Sequence, residues 1–164
     1  NTGLEGERLG INRFPPTYPL GVFPCKDGWI GLTVLTPGQW HTFCELLELN
    51  EFSDIYLFQS AVGRLEGVDL LEPLICEKLL HLSAEELFYR AQNAGVPLAR
   101  VPTMEELFQV DQFVHRNAFA KIEFSDGTAL QAPTIPFRLF QTPPSFGGAV
   151  ASIGDHTHEF VDHD

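Results

Sequence analysis

Two Asp-Gly pairs, Asp27-Gly28 and Asp126-Gly127, constrain the fold of this chain more than any other feature. Each pair separates two short runs rich in apolar residues, and this arrangement predicts an antiparallel β-hairpin. The runs are residues 20–25 and 29–35 around the first pair, and residues 120–124 and 128–132 around the second. The chain between the pairs must therefore connect two hairpins.

Capping signals predict two helices in the connecting region. Thr36 stands before a proline, which favours a helix start, and the apolar residues that follow recur at helical spacing over about residues 37–49. Ser83 and Glu86 form a capping-box pattern, and Gly95 lies where the helix that they open would end.

Weaker patterns complete the predicted order of elements. They are a helix over about residues 71–79 with Pro73 in its first turn, a strand over residues 96–101, a second capping box at Thr103 and Glu106, and a helix from Asp111, its N-cap, to about residue 117. Residues 50–69 fit no clear pattern. Because hairpin, helices, strand, helices and hairpin do not alternate as in a parallel sheet, the order predicts an α+β two-layer sandwich over residues 20–132.

Segments rich in glycine and proline flank this predicted domain on both sides. Residues 1–19 and 133–164 contain most of the prolines and have no periodic apolar pattern. They predict extended arms without a core of their own. Such arms need a partner surface on which to pack.

The charge balance and the hydropathy pattern exclude several classes of protein. Acidic residues outnumber basic ones by 22 to 10 in the 164-residue chain, and the net charge of −12 argues against nucleic acid as a partner. No apolar run approaches the roughly 20 residues that span a bilayer, and no signal-peptide pattern opens the chain. We therefore expect a soluble, cytoplasmic protein without a membrane partner. Because the only methionine, Met104, is internal, we also expect the translation start to lie outside this chain.

No segment carries a self-contained catalytic or metal-binding motif. The chain lacks the glycine-rich phosphate loops, the nucleophile elbow and the HExxH zinc pattern. Its three cysteines have no CxxC spacing and predict free thiols. His156, His158 and His163 lie among carboxylates near the C-terminus, but nothing supplies the supporting residues that metal ligands need, so no metal site is predicted. The other histidines, His41, His81 and His115, lie on predicted helices without a nucleophile motif nearby.

Several segments, taken in order along the chain, resemble one known family. The first is Tyr18-Pro19-Leu20-Gly21-Val22-Phe23-Pro24-Cys25-Lys26-Asp27-Gly28-Trp29-Ile30, and the later ones are Gln39-Trp40, Gly95-Val96-Pro97, Val101-Pro102-Thr103, Glu106-Leu107, Asp111-Gln112 with Arg116, Pro136-Phe137-Arg138-Leu139 with Thr142-Pro143, and Gly154-Asp155-His156-Thr157. Their order resembles the C-terminal part of the family III CoA-transferases, also called the CaiB/BaiF family. That family includes formyl-CoA and carnitine CoA-transferases and α-methylacyl-CoA racemases.

The chain departs from the family pattern in two places. Asp155 stands where the family usually has glutamate, a change that retains the carboxylate. Pro15, Pro16 and Pro19 stand where some members have a glycine-rich loop. The second departure argues against the formyl-CoA subclass.

The resemblance implies a subunit of two lobes, a Rossmann-like large domain and a small α+β domain. This chain would then carry an inter-domain arm (1–19), the small domain (20–132) and a return segment to the large domain (133–164). Two such subunits would interlock as a homodimer. The implied reaction transfers CoA from an acyl-CoA to a carboxylic acid through an aspartyl intermediate that forms in the large domain. A CoA thioester is then a substrate, and no cofactor is permanently bound.

The resemblance also guides the assignment of site residues. No segment of this chain matches the surroundings of the family's nucleophilic aspartate, so we expect no catalytic residue here and no activity of the chain alone. Tyr18, Pro19, Leu20 and Gly21 are the candidate substrate-binding residues, in a loop that would cover the acyl group. A plain inter-domain linker is the alternative for this loop. For the whole protein, an α-methylacyl-CoA racemase and a non-catalytic dimerisation module stay open as alternatives.

Overall fold

The computed structural model of the protein describes residues 10–124, 126–143, 145 and 151–161. The chain forms two compact units, Asn1–Pro102 and Thr103–Asp164. The first contains β1 (Leu20–Cys25), β2 (Gly28–Thr33), α1 (Pro37–Leu47), α2 (Ala61–Glu66), α3 (Val68–Leu80), α4 (Ala84–Ala94) and β3 (Leu98–Val101), and the second contains α5 (Asp111–His115), β4 (Phe119–Glu123), β5 (Ala129–Pro133) and α6 (Thr157–Phe160). The division falls inside the range 20–132, whose boundaries as one domain stay a prediction.

The first unit is α+β, with helices packed on one face of a three-stranded antiparallel sheet in the order β1-β2-β3. Side chains alternate between the faces of a sheet. Phe23 on β1 pairs with Ile30 on β2, and both are buried against the helices, whereas Trp29 on the opposite face is half exposed. The first predicted hairpin is therefore confirmed. Its two-residue turn is Lys26-Asp27 rather than the Asp-Gly pair, because Cys25 pairs with Gly28.

Helix α1 begins as the sequence predicts. Thr36 is its N-cap: the Thr36 hydroxyl accepts the Gln39 N–H at 3.1 Å, and the Gln39 side chain accepts the Thr36 N–H at 3.2 Å. This reciprocal pair satisfies backbone donors that have no partner inside the helix. The helix ends before Glu48, which adopts a left-handed conformation with φ of 56°.

Helix α4 has a different cap from the predicted one. The prediction that Ser83 and Glu86 form a capping box is wrong, because the Ser83 side chain makes no capping hydrogen bond. Instead the Asp27 carboxylate, in the β1–β2 turn, accepts the Ala84 N–H at 2.7 Å. The end of the helix is as predicted: Gly95 follows it with φ of 73°.

Residues 50–80 are more helical than the sequence indicates. Two short 3₁₀ turns, Asn50–Phe52 and Tyr56–Gln59, lead into α2 and then directly into α3. Helix α3 starts three residues before the predicted position, so Pro73 lies inside it rather than in its first turn. The missing proline N–H costs the helix one backbone hydrogen bond. No described helix has the length and hydropathy needed to cross a membrane.

The second unit confirms the second hairpin, β4 paired antiparallel with β5. Thr103 and Glu106 form the predicted capping box, with bonds of 2.8 and 3.3 Å, but it opens only a 3₁₀ turn, Glu106–Gln109. Asp111 is the first residue of α5 rather than its N-cap, which is Val110. The Phe119 ring lies 4.8 Å from Phe108 and 6.2 Å from Phe113, centroid to centroid.

Candidate functional site

The candidate loop is the end of a longer segment, residues 10–21, which we call the anchored loop. Asn12 fastens it to the free edge of β1: its side-chain amide donates to the Val22 carbonyl at 2.7 Å, and its side-chain oxygen accepts the Val22 N–H at 3.0 Å. The Asn12 side chain thereby replaces the pairing that a neighbouring strand would supply. A Cβ atom at Gly21 would overlap this side chain, so the fastening requires glycine there.

Arg13 fastens the same loop to helix α3. Its guanidinium lies 3.0 Å from the Asp69 carboxylate and 2.7 Å from the Glu72 carboxylate. Both carboxylates lie in the first turns of α3. Because the guanidinium binds two carboxylates on one helix, it fixes both the orientation of the loop and its distance from α3.

The tip of the loop, Phe14 to Pro16, is exposed. Thr17 donates its N–H to the Phe14 carbonyl at 2.7 Å, which closes a tight turn around Pro15 and Pro16. The peptide bonds that precede Pro16 and Pro19 are both cis. The Phe14 side chain is 52% exposed. The tip therefore presents an apolar surface on a segment that is fastened on both sides.

Two of the four predicted site residues lie in the interior. Tyr18 is fully buried, and Pro19 is buried beside it, with its carbonyl accepting the Val34 N–H at 3.0 Å. Leu20 and Gly21 are partly buried at the start of β1. Tyr18 and Pro19 therefore lie beneath the loop, and the exposed surface at Phe14 to Pro16 lies two to five residues earlier in the chain.

The Tyr18 hydroxyl is buried, and no described group forms a hydrogen bond with it. Burial raises the pKa of Tyr18 far above its usual range, and the negative charge of Glu72 raises it further. A phenol held neutral in this way cannot act as a base at neutral pH. This supports a structural role for the ring.

Arg64, at the end of α2, has a fully buried side chain. Its guanidinium donates to four backbone carbonyls, those of Tyr18 at 2.7 Å, Phe58 at 2.9 Å, Val34 at 2.9 Å and Leu35 at 3.3 Å. It also lies 5.2 Å from the centroid of the Trp40 ring. Burial lowers the pKa of Arg64 to about 10, so the group stays cationic at neutral pH.

Sequence reasoning missed Asn12, Arg13 and Arg64, which hold the loop. Asn12 and Arg13 lie in a segment predicted to be a coreless arm, and their partners are ten and 59 residues away. Arg64 lies in the stretch without a clear pattern. A lone arginine among apolar residues was its only signal, and burial of a cation is not expected without a paired charge.

The remaining candidates have no site around them in the described part of the chain. All three cysteines are free, as predicted, and burial raises the pKa of Cys44 to about 12 and that of Cys25 to about 11. These thiols are therefore weak nucleophiles. His156 pairs with Glu159 at 2.9 Å on the surface, while His163 lies outside the described residues. No group of metal-ligating side chains occurs among the described residues.

Comparison with known proteins agrees with the resemblance seen in the sequence. The family model of CoA-transferase family III matches residues 1–157. The chain is 26% identical over 155 residues to the succinate–glutarate CoA-transferase of Agrobacterium fabrum, which covers 94% of this chain and 38% of the relative. It is 26% identical over 163 residues to the succinyl-CoA–L-malate CoA-transferase alpha subunit of Chloroflexus aurantiacus, which covers 97% of this chain and 38% of the relative.

A solved structure of a CaiB/BaiF family protein from Brucella suis has the same fold, with a TM-score of 0.77 at 19% identity. The match covers 96% of this chain and 40% of that protein. The chain thus spans about two fifths of the length of these three relatives. Because the family model extends over nearly all of its residues, the chain belongs to CoA-transferase family III.

Proposed function

We propose that the intact protein transfers CoA from an acyl-CoA thioester to a carboxylic acid. The observation that carries this proposal is the family match over residues 1–157, together with curated relatives that are CoA-transferases by name. In the proposal, an aspartyl intermediate forms in a Rossmann-like large domain outside this chain. Two subunits interlock as a homodimer, and no cofactor is permanently bound.

The names of the relatives support a narrower substrate class. They refer to succinate, glutarate, L-malate, mesaconate and D-citramalate, which are all small dicarboxylic acids. We therefore propose a small dicarboxylate as the acceptor and the CoA thioester of another as the donor.

In this proposal the anchored loop covers the acyl group. Tyr18 and Pro19 hold the loop from inside, Leu20 and Gly21 join it to β1, and the tip at Phe14 to Pro16 contacts the substrate. The support is the burial of Tyr18 and Pro19 and the exposure of an apolar tip between two fastened ends. An apolar surface suits the methylene groups of an acyl chain, because their contact with it removes them from water.

The test uses the full-length protein with succinyl-CoA and glutarate. We expect glutaryl-CoA and free succinate to appear in equal amounts, as measured by mass spectrometry. Omission of glutarate is the control. The substrate class would be contradicted if succinyl-CoA gave no new CoA thioester with glutarate, malate or mesaconate as the acceptor. Loss of the α-proton of a 2-methylacyl-CoA in deuterated water, without transfer, would favour the racemase instead.

The place of the intermediate has its own test. The protein is incubated with succinyl-CoA, treated with hydroxylamine and digested, and the modified peptide is identified by mass. We expect the modification on an aspartate outside residues 1–164. A modified carboxylate within this chain would show that the catalytic residue has been misplaced.

A further inference from the structure

Arg64 differs from the arginine of an ordinary buried ion pair in the groups to which its guanidinium donates. Among the described residues, its guanidinium donates to four backbone carbonyl oxygens and has no carboxylate partner. A buried cation is unfavourable unless its hydrogen bonds are satisfied. Arg64 therefore obtains from the backbone the compensation that a buried carboxylate would otherwise supply.

The carbonyls come from three separate parts of the chain. Tyr18 lies near the end of the anchored loop, Val34 and Leu35 follow β2, and Phe58 lies in the 3₁₀ turn before α2. The planar guanidinium has donors in several fixed directions, so one side chain can fix all three parts at once. Lysine has a single ammonium group and cannot span them.

The backbone around Arg64 is itself closely held. The Ser60 hydroxyl accepts the Gly63 N–H at 2.9 Å, which caps α2. A Cβ atom at Gly63 would overlap the carbonyl oxygen of Leu57, so the helix can approach the preceding turn only with glycine there. The position from which the Arg64 side chain extends is therefore fixed independently of its own hydrogen bonds.

We infer that Arg64 is a positioning residue, which fixes the anchored loop through the Tyr18 carbonyl and thereby sets where the tip at Phe14 to Pro16 meets the substrate. The second half of this inference rests on the proposed function. Asn12 and Arg13 fasten the outer part of the loop, and Arg64 fastens its inner end. Because Arg64 is fully buried, its action on the substrate in this proposal is through the loop.

Hydrogen–deuterium exchange of the full-length protein tests the positioning role. The amides to compare are those of Thr17 and Val34, which bond within or beside the loop, and that of Leu71 in α3. For Arg64→Met we expect exchange at Thr17 and Val34 to rise by about tenfold relative to Leu71, because the loop opens locally once its carbonyl loses a charged donor. Arg64→Lys keeps the charge and should give a smaller rise.

Leu79→Ala is the matched control, because Leu79 is fully buried in α3 and its apolar side chain makes none of the hydrogen bonds that hold the loop. It should raise exchange at all three amides together. If Arg64→Met does the same, Arg64 is a general core residue and the inference fails. The inference also fails if Arg64→Lys matches the original protein, because the fork is then unnecessary. If Arg64→Met does not fold, the exchange at Thr17 and Val34 is compared with that at Leu71 in Arg64→Lys instead.

Activity separates this inference from the proposed function. With succinyl-CoA and glutarate, we expect kcat/KM to fall by about tenfold in Arg64→Met beyond any loss in Leu79→Ala, after correction for the folded fraction. A raised exchange ratio with unchanged transfer would support the positioning of the loop but contradict its contact with the acyl group. An unchanged exchange ratio would overturn the inference whatever the activity.

Discussion

The two compact units differ most in what they bury. Every buried hydrophobic residue of the described chain lies between Tyr18 and Leu98, in the first unit. In the second unit, none of the residues described from 103 to 161 is buried, although it has apolar side chains of its own. The first unit thus has a core like that of a self-sufficient domain, whereas the described residues of the second unit form only a small aromatic cluster.

This difference indicates where each unit obtains its stability. Burial of apolar surface is the main favourable term in folding. The second unit exposes Phe137, Leu139 and Phe140 around a cavity of about 500 Å³. If the intact protein has the large domain proposed above, we expect that domain to cover this surface. The segment 133–164, which is predicted to return to a large domain, would have an apolar surface that this domain covers.

The largest expected effect is in the core of the first unit. Trp40 is fully buried, its ring contacts Phe43 and Phe58, and its indole N–H donates to the Phe52 carbonyl at 3.3 Å. Trp40→Ala should lower the free energy of unfolding by about 3–5 kcal/mol. Urea denaturation measures this change. Trp29→Ala is the control, because truncation of the half-exposed Trp29 should lower the free energy of unfolding much less. An equal decrease would contradict the assignment of the core.

The next largest effect on stability is expected at Gly63, where the backbone of α2 lies close to that of the preceding turn. A methyl group at Gly63 would overlap the Leu57 carbonyl oxygen. Gly63→Ala should therefore destabilise the protein by about 1–3 kcal/mol, since the well-packed backbone must shift. The control is Gly38→Ala in α1, where the nearest atom, the Thr36 hydroxyl oxygen, is 4.0 Å from the new methyl. Gly38→Ala should be neutral or stabilising by urea denaturation, and equal losses would show that close approach is not the cause.

A smaller effect is expected from substitution of the turn carboxylates, Asp27 in the first unit and Asp126 in the second. Hydrogen bonds from the Ala84 N–H and the Ser83 hydroxyl lower the pKa of Asp27, and those from Thr128 lower the pKa of Asp126. A depressed pKa in the folded state adds stability above the unfolded value, about 3.9, and this stability is lost as the pH falls through the folded pKa.

Asp27→Asn should therefore lower Tm at pH 7, with a difference from the original protein that shrinks as the pH falls below about 4. Asp126→Asn should change Tm less, because Asp126 stabilises a hairpin outside the core. Differential scanning calorimetry at several pH values measures both variants. A larger effect of Asp126→Asn would mean that the second unit unfolds together with the first.

The helix caps show how far the sequence could predict this fold. The cap at Thr36 is made by residues three positions apart, so local reasoning predicted the start of α1 correctly. The start of α4 was placed correctly at Ser83, but its cap comes from Asp27, 57 residues away. Local sequence signals identify where a helix begins. Tertiary contacts decide which group accepts the hydrogen bonds of its first backbone N–H groups.

The same distinction explains the candidate site. The motif Tyr18 to Gly21 indicates a candidate segment whose role stays a prediction, and periodicity could not show that Tyr18 is buried. The Tyr18 carbonyl accepts a hydrogen bond from Arg64, which lies 46 residues later in the chain. A site that is held by long-range hydrogen bonds cannot be predicted from the segment that contains it.

The smallest expected effect tests the second unit directly. Phe140 is 99% exposed, so Phe140→Ala in residues 1–164 alone should change the free energy of unfolding by no more than about 0.5 kcal/mol. In the full-length protein the same substitution should cost clearly more, because there we expect the ring to be covered. Tyr56→Ala is the control in the first unit, where Tyr56 is 93% exposed.

Chemical denaturation of both variants in both lengths of protein gives four values to compare. If Phe140→Ala is as mild in the full-length protein as in the short chain, its ring stays in solvent, and the apolar surface of the second unit needs another explanation. If Tyr56→Ala becomes costly as well, coverage extends to the first unit, and the contrast between a self-sufficient unit and a dependent one must be redrawn. A cost confined to Phe140 would locate the dependence in the second unit, because only there does the short chain leave apolar side chains without a core.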